Sequence, residues 1–209
     1  MFDIILAAGW PAYPLIFASI IAIALIIERF IALRQERVIP SKLYDETVEA
    51  VKSKNLTADV IVNLSQHSPL GQLLSTALRQ FIMHKKLDYD MIETEVEKSG
   101  RSVAHSLEKY MTTIGTIAAI APLMGLFGTV IGMIELFAAG GASSTDQMAK
   151  GISIALYNTA LGIIVAIPSL IFWRHFRRRI DAYLLELEQI SSRFSHILVA
   201  IKKQQEDEI

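Results

Sequence analysis

Residues 4–27, 110–134 and 151–173 are long apolar stretches that contain no Asp, Glu, Lys or Arg. A helix of about 20 apolar residues crosses the roughly 30 Å hydrocarbon core of a bilayer, and each stretch is long enough. The pattern between and after them changes to helical amphipathicity. Leu43, Thr47, Val48 and Val51 recur at helical spacing after Pro40-Ser41, a good helix start. Leu70, Leu73, Leu74, Ala77, Leu78, Phe81 and Ile82 follow Ser68-Pro69 in steps of three and four. From Asp88, the series Ile92, Val96, Val103 and Leu107 is expected to run straight into the second apolar stretch. Phe176, Ile180, Tyr183, Leu187, Ile190, Phe194, Ile197 and Ile201 repeat the arrangement after the third. A helix from Gly151 to about Lys203 would be roughly 80 Å long, with Gln204–Ile209 as a frayed end.

The expected fold is an all-α integral membrane protein with three transmembrane helices, two of them extended into a long cytoplasmic helical bundle. Single helices cannot hide such apolar stripes, so bundling with neighbouring subunits of a homo-oligomer is expected. The segments predicted are 1–37 (N-terminal segment and first span), 38–110 (cytoplasmic helical region), 111–137 (second span), 138–150 (short periplasmic loop), 151–173 (third span) and 174–209 (cytoplasmic C-terminal helix).

Charge sets the orientation. Of 20 Lys and Arg, residues 1–27 hold none and the loop before the third span holds only Lys150. Arg29, Arg34 and Arg37 follow the first span, Arg101 and Lys109 precede the second, and Arg174, Arg177, Arg178 and Arg179 follow the third. The positive-inside rule therefore places the N-terminus outside and the C-terminus in the cytoplasm. Met1-Phe2-Asp3 lacks a basic n-region, and the first run ends at Glu28-Arg29, so it reads as an uncleaved anchor. The formal net charge of −1 gives no sign of a nucleic-acid partner, and the absence of Cys removes disulfide and thiolate chemistry.

Within the spans the small and polar residues carry the information. Gly115, Ala118, Pro122, Gly125, Thr129 and Gly132 step by threes and fours along the second, as do Ala155, Thr159, Gly162, Ala166 and Ser169 along the third. Small residues let helix backbones approach in lipid, and hydroxyls hydrogen-bond across the contact. Spacing alone leaves two readings open, tight packing of two spans or the wall of a central cavity in an oligomer. Pro122 and Pro168 each remove a backbone donor, which kinks a helix or exposes a carbonyl to water or protein. Thr129 lies six residues from Glu135, and Thr159 nine from Lys150. At 1.5 Å per residue they sit about 9 and 13 Å from the outer ends, at similar depth.

No Asp, Glu, Lys, Arg or His lies in the central part of any span. A proton relay normally needs an intramembrane ionisable group, so a partner helix would have to bring it. Glu28 and Glu135 close spans at opposite surfaces and read as interfacial. His67, His84, His105, His175 and His196 are dispersed without metal-ligand spacing. With no phosphate-binding loop, HExxH or nucleophile elbow, neither an enzyme nor a cofactor is expected.

The stretch Ala121-Pro122-Leu123-Met124-Gly125-Leu126-Phe127-Gly128-Thr129-Val130-Ile131-Gly132-Met133 resembles the second-span signature of the MotA/TolQ/ExbB proton-channel family. Gly151 through Leu156, Thr159-Ala160-Leu161-Gly162 and Ala166-Ile167-Pro168 resemble its third-span signature. Three spans and a short N-terminus look more like ExbB or TolQ than four-span MotA. The resemblance implies a pentameric ring around the single-span helices of two ExbD/TolR-like subunits. These carry a proton-accepting Asp, and the complex drives a TonB-like protein from the bacterial inner membrane. It implies that Thr129 and Thr159 face the pore. Asn158 and Ser169 are taken with them as pore-lining, and Gly115, Ala118, Pro122, Gly125, Gly132, Ala155, Gly162, Ala166 and Pro168 as packing or pore wall. The chain departs from the pattern at Ile154, where many ExbB and TolQ sequences carry Glu; this leaves the partner's Asp as the candidate carrier. Tol–Pal envelope maintenance and a non-conducting membrane scaffold stand as alternatives.

Overall fold

The computed structural model describes residues 9–53, 56–84, 88–138 and 145–207. Among these every regular element is a helix: α1 Ala12–Ala32, α2 Gln35–Val38, α3 Leu43–Lys52, α4 Ala58–His67, α5 Pro69–Met83, α6 Tyr89–Leu107, α7 Met111–Ala138 and α8 Thr145–Asp207. Among the described residues three helical stretches are long and apolar enough to cross a membrane: α1, the stretch containing α7, and the stretch from Gly151 within α8. The protein is an all-α, multi-pass membrane protein.

The chain divides into two units, residues up to Arg29 with Tyr110–Phe176, and Phe30–Lys109 with the residues from Arg177 on. In the first, Leu15 of α1 packs with Ala121 of α7 and Ala166 of α8, surrounded by Met124, Leu161 and Val165. Many of the large apolar side chains of these helices point outward, Phe17, Leu126 and Ile164 among them, while Leu15, Ile26 and Ile114 are buried. This inversion suits lipid, where apolar surface gains nothing by turning inward and small residues make the contacts.

The second unit is built the opposite way, with apolar side chains inside as a water-facing bundle requires. Leu70, Leu73, Leu74, Ala77 and Leu78 of α5 are buried, as are Ile92, Val96 and Val103 of α6 and Ile180, Leu187, Phe194 and Leu198 of α8. Ser68 caps α5, its Oγ accepting from Gly71 N at 3.0 Å, with Pro69 at the first helical position. Gly71 lets α5 approach α4 closely, since a Cβ there would lie 2.1 Å from Leu64 O. Tyr183 of α8 donates to Leu33 O at 2.9 Å, and Thr76 of α5 to Ser99 of α6 at 3.2 Å.

Several details differ from the sequence reading. The α6 helix does not run into α7: the chain leaves the helix at Glu108–Tyr110, with Tyr110 at φ 65°. A left-handed Tyr costs about 1–2 kcal/mol, and a contact holds it, since the Arg29 guanidinium lies 5.5 Å from its ring centroid. The N-cap of α3 is Lys42 rather than Ser41, with no side-chain cap bond. The α8 helix begins at Thr145 and continues to Asp207, so 145–150 and 204–207 are helical; the helix formers Gln147, Met148, Ala149 and Lys202–Gln205 favour both extensions. The short helices α2 and α4 were not read from the pattern. The segment 139–144, at the centre of the expected outer loop, lies outside the described residues.

Candidate functional site

The small-residue rows of α7 and α8 meet each other. A Cβ on Gly125 would lie 2.7 Å from Asn158 O and 3.1 Å from Thr159 Cα; one on Gly162 would lie 2.6 Å from Ala121 O. Gly128 faces Asn158, with 2.7 Å from a built Cβ to Asn158 Cγ, and Gly132 faces Ala155 at 3.8 Å. Farther along, Gly151 meets Leu136 and Gly115 meets Trp173. Residue numbers rise on one helix as they fall on the other, so the two run antiparallel in contact. Any side chain at Gly125 or Gly162 would collide with backbone, which cannot give way as a side-chain tip does.

This register places Thr129, one residue beyond Gly128, level with Asn158 and Thr159. Direction follows from helix geometry, in which successive residues turn by about 100°. Thr129 and Thr159 each stand one step forward of a seam residue, Gly128 and Asn158. Met124 and Leu161 each stand one step back from Gly125 and Gly162, and they pack in the cluster around Leu15 of α1. Trp10, just before α1, lies edge-on to Phe127, ring centroids 6.3 Å apart. On antiparallel helices a forward step leads to the same flank of the seam from both sides. The two threonines therefore share one flank, and α1 covers the other.

The remaining sequence-selected residues fall into three positions. Ala118, Gly125, Ala155, Gly162 and Ala166 are buried, and Gly132 is half-buried in the same seam. Asn158 and Ser169 are each 1% exposed, and Ser169 Oγ donates to Val165 O at 2.8 Å. Gly115 and Pro122 precede Thr129 by fourteen and seven residues, on the threonine side of α7. Pro168 follows Leu161 by seven and is exposed on the flank where α1 packs. Thr129 is half-buried, its Oγ1 donating to Leu126 O at 2.6 Å; Thr159 is also half-buried. The side chain of Ile154 lies outside the described residues.

Sequence reasoning missed Gly128 and Ala121 as contact residues. The signal was present as the row Ala118, Ala121, Gly125, Gly128, Gly132, stepping three, four, three, four. The row chosen strayed to Pro122 and Thr129, one position off the seam. It also missed the partners of Arg29, which is 4% exposed. Its Nε and Nη2 donate to Glu28 Oε2 and Oε1 at 2.5 and 2.7 Å, and its guanidinium lies over Tyr110. Paired this way, a buried guanidinium is tolerated at the end of a span.

Chemically, the threonine flank offers hydroxyls and close-packed apolar walls, without fixed charge. Such a surface hydrogen-bonds water or a neutral or anionic carboxyl group without trapping an ion.

Residues 65–189 match the MotA/TolQ/ExbB proton channel family. The biopolymer transport protein ExbB of Aquifex aeolicus is 38% identical over 135 residues, covering 62% of this chain and 91% of that protein. ExbB of Salmonella typhimurium is 26% identical over 192 residues, covering 85% and 76% respectively. The Tol-Pal system protein TolQ of Haemophilus influenzae is 30% identical over 137 residues, 61% of this chain and 60% of that one.

Proposed function

This chain belongs to the MotA/TolQ/ExbB proton channel family, and from that premise we propose that it is the ring subunit of an ExbB-like energy-transducing motor in a bacterial inner membrane. Copies of it, five by resemblance, surround single-span ExbD/TolR-like subunits, whose Asp takes up and releases the proton. The stored energy drives a TonB-like protein that powers outer-membrane transport. The N-terminus faces the periplasm and the C-terminus the cytoplasm, the orientation that the Lys and Arg positions favour.

The observation carrying this reading is that Thr129 and Thr159 stand level on one flank of the α7–α8 seam, opposite the flank where α1 packs. With α1 toward lipid, the threonine flank turns to the ring interior. A carboxyl group brought into that dry interior has a raised pKa and is easily neutralised. Thr129 and Thr159 hydrogen-bond it or its water without adding charge. Each proton crossing releases about 2.3 kcal/mol per 100 mV. Walls of small and apolar residues let an internal helix turn, whereas fixed charges would hold it in one position.

The test is proton flux in liposomes holding the ring with its single-span partner. Thr129→Val and Thr159→Val preserve shape, so assembly is retained. Flux falls by about tenfold, the loss of one charge-linked hydrogen bond of about 1.5 kcal/mol. Wild-type flux in both variants removes the pore role and favours the scaffold reading, in which the seam contacts of Gly125 and Gly162 serve packing alone. The similarity to TolQ supports a second reading, Tol–Pal envelope maintenance. Gene deletion separates the two: failure of TonB-dependent uptake marks the first, and leakage of periplasmic proteins the second.

A further inference from the structure

The second unit holds a cavity of about 450 Å³ that the proposed proton pathway does not use. It lies between α6 and the later part of α8, with Leu73 of α5 on its lining. The two helices are tied at both ends. At one end the Tyr89 hydroxyl is 3.1 Å from Ser192 Oγ, and its ring stacks on His196 at 4.3 Å between centroids. At the other, Arg177 Nη1 donates to Glu108 Oε1 at 3.0 Å. Between these ties the helices leave an opening with Val96, Val103 and Leu187 on its wall.

Its charge has one dominant sign. Glu93, Glu97 and Glu188 border the cavity against a single basic residue, Arg101. That residue's Nη2 already donates to Glu97 Oε1 at 2.8 Å, a hydrogen bond that raises the guanidinium pKa above its ordinary value. The volume lies within the roughly 300–1,000 Å³ of ligand pockets.

Gly100 is the second observation. It sits inside α6, where glycine costs roughly 0.5–1 kcal/mol relative to alanine. A Cβ there would meet nothing nearer than Leu73 Cδ2 at 4.0 Å. No neighbour excludes a side chain, so what its absence provides is room in the cavity.

We propose that this cavity is the docking site for a basic, amphipathic peptide segment, the cytoplasmic flank of the single-span partner subunit. Long Lys and Arg side chains lay an apolar stem along a wall such as Val96–Val103 and carry the charge outward to carboxylates such as Glu93 and Glu188. The positive-inside rule makes the cytoplasmic flank of a single-span helix rich in these residues. The source of the segment rests on the motor reading; the cavity and its chemistry do not.

The chain has no Cys, so Gly100→Cys introduces a single thiol into open space. In membranes containing the chain and its single-span partner, that thiol is labelled with a photoactivatable benzophenone maleimide and the adduct sequenced by mass spectrometry. The expected adduct is a Lys/Arg-rich peptide flanking the partner's span, and it is lost when Glu93→Lys and Glu188→Lys are added. As a guard against misfolding, Ser192→Cys carries the same label with Gly100 intact and gives the same adduct; adding Gly100→Leu, which fills the cavity, abolishes it while the complex still purifies. Adducts only to a second copy of this chain, or none, while the single-span protein co-purifies, overturn the docking site and leave the motor reading standing. Absence of any co-purifying single-span protein overturns both.

Discussion

Gly125 and Gly132 occupy the same row of α7, seven residues apart, yet they differ in what surrounds them. A methyl group at Gly125 would press on Asn158 O and Thr159 Cα, and one at Gly162 on Ala121 O, all backbone. At Gly132 the nearest atom is 3.8 Å away, an ordinary contact. Gly125→Ala and Gly162→Ala should therefore each destabilise the first unit by about 1–3 kcal/mol through overpacking. Gly132→Ala should be neutral or slightly stabilising, since alanine is about 1 kcal/mol better in a helix. Unfolding in mixed detergent micelles ranks the three, and equal losses would remove the close-contact account. The sequence marked both glycines alike because step length alone does not measure the distance between two helices.

At the scale of elements, the junction between α6 and α7 has the most to test. Tyr110 holds φ 65° beneath Arg29, so two opposing terms act at one residue. Tyr110→Ala loses the cation–π contact, about 0.5–2 kcal/mol, and keeps the backbone strain. Tyr110→Gly loses the same contact and releases the strain, about 1–2 kcal/mol. The glycine variant should therefore be more stable than the alanine variant by about 1 kcal/mol, read as a higher thermal midpoint in detergent. The reverse order would mean that the helix passes unbroken through residue 110 in solution. Period-3.6 patterning revealed α5, α6 and the tail of α8, whose apolar faces pack on one another. It overlooked the break at Glu108–Tyr110 because nothing there resembles a turn: no Gly, no Pro, no Asn. The contact found there is with a side chain 81 positions earlier, Arg29, and local pattern has no access to it.

For the whole molecule, the expected topology is an N-terminus outside and a C-terminus inside, with residues 38–110 and the tail in the cytoplasm. Green fluorescent protein fused after Ile209 should fluoresce, and alkaline phosphatase fused to the N-terminus should be active. The opposite pair of results would reverse the proposed orientation and put the acidic cavity of the second unit in the periplasm, away from any basic cytoplasmic flank. The two units also differ in construction: the α7–α8 seam of the first is made by glycines and alanines with many large residues outward, whereas leucines fill the second. That contrast follows from the solvent each is made for, lipid in one case and water in the other.

Hydropathy and residue pattern by themselves determined that the protein is helical, that three stretches suit a bilayer, and that the central parts of these stretches carry hydroxyls and glycines rather than carboxylates. These properties are additive along the chain: runs, periods and charge counts need no knowledge of what touches what. Only the tertiary structure decided that Gly128 meets Asn158, that the threonines share the flank α1 leaves uncovered, that Arg29 reaches Tyr110, and that Gly100 lines a cavity. Each depends on the register between helices far apart in sequence, and register is set by close packing across the seam.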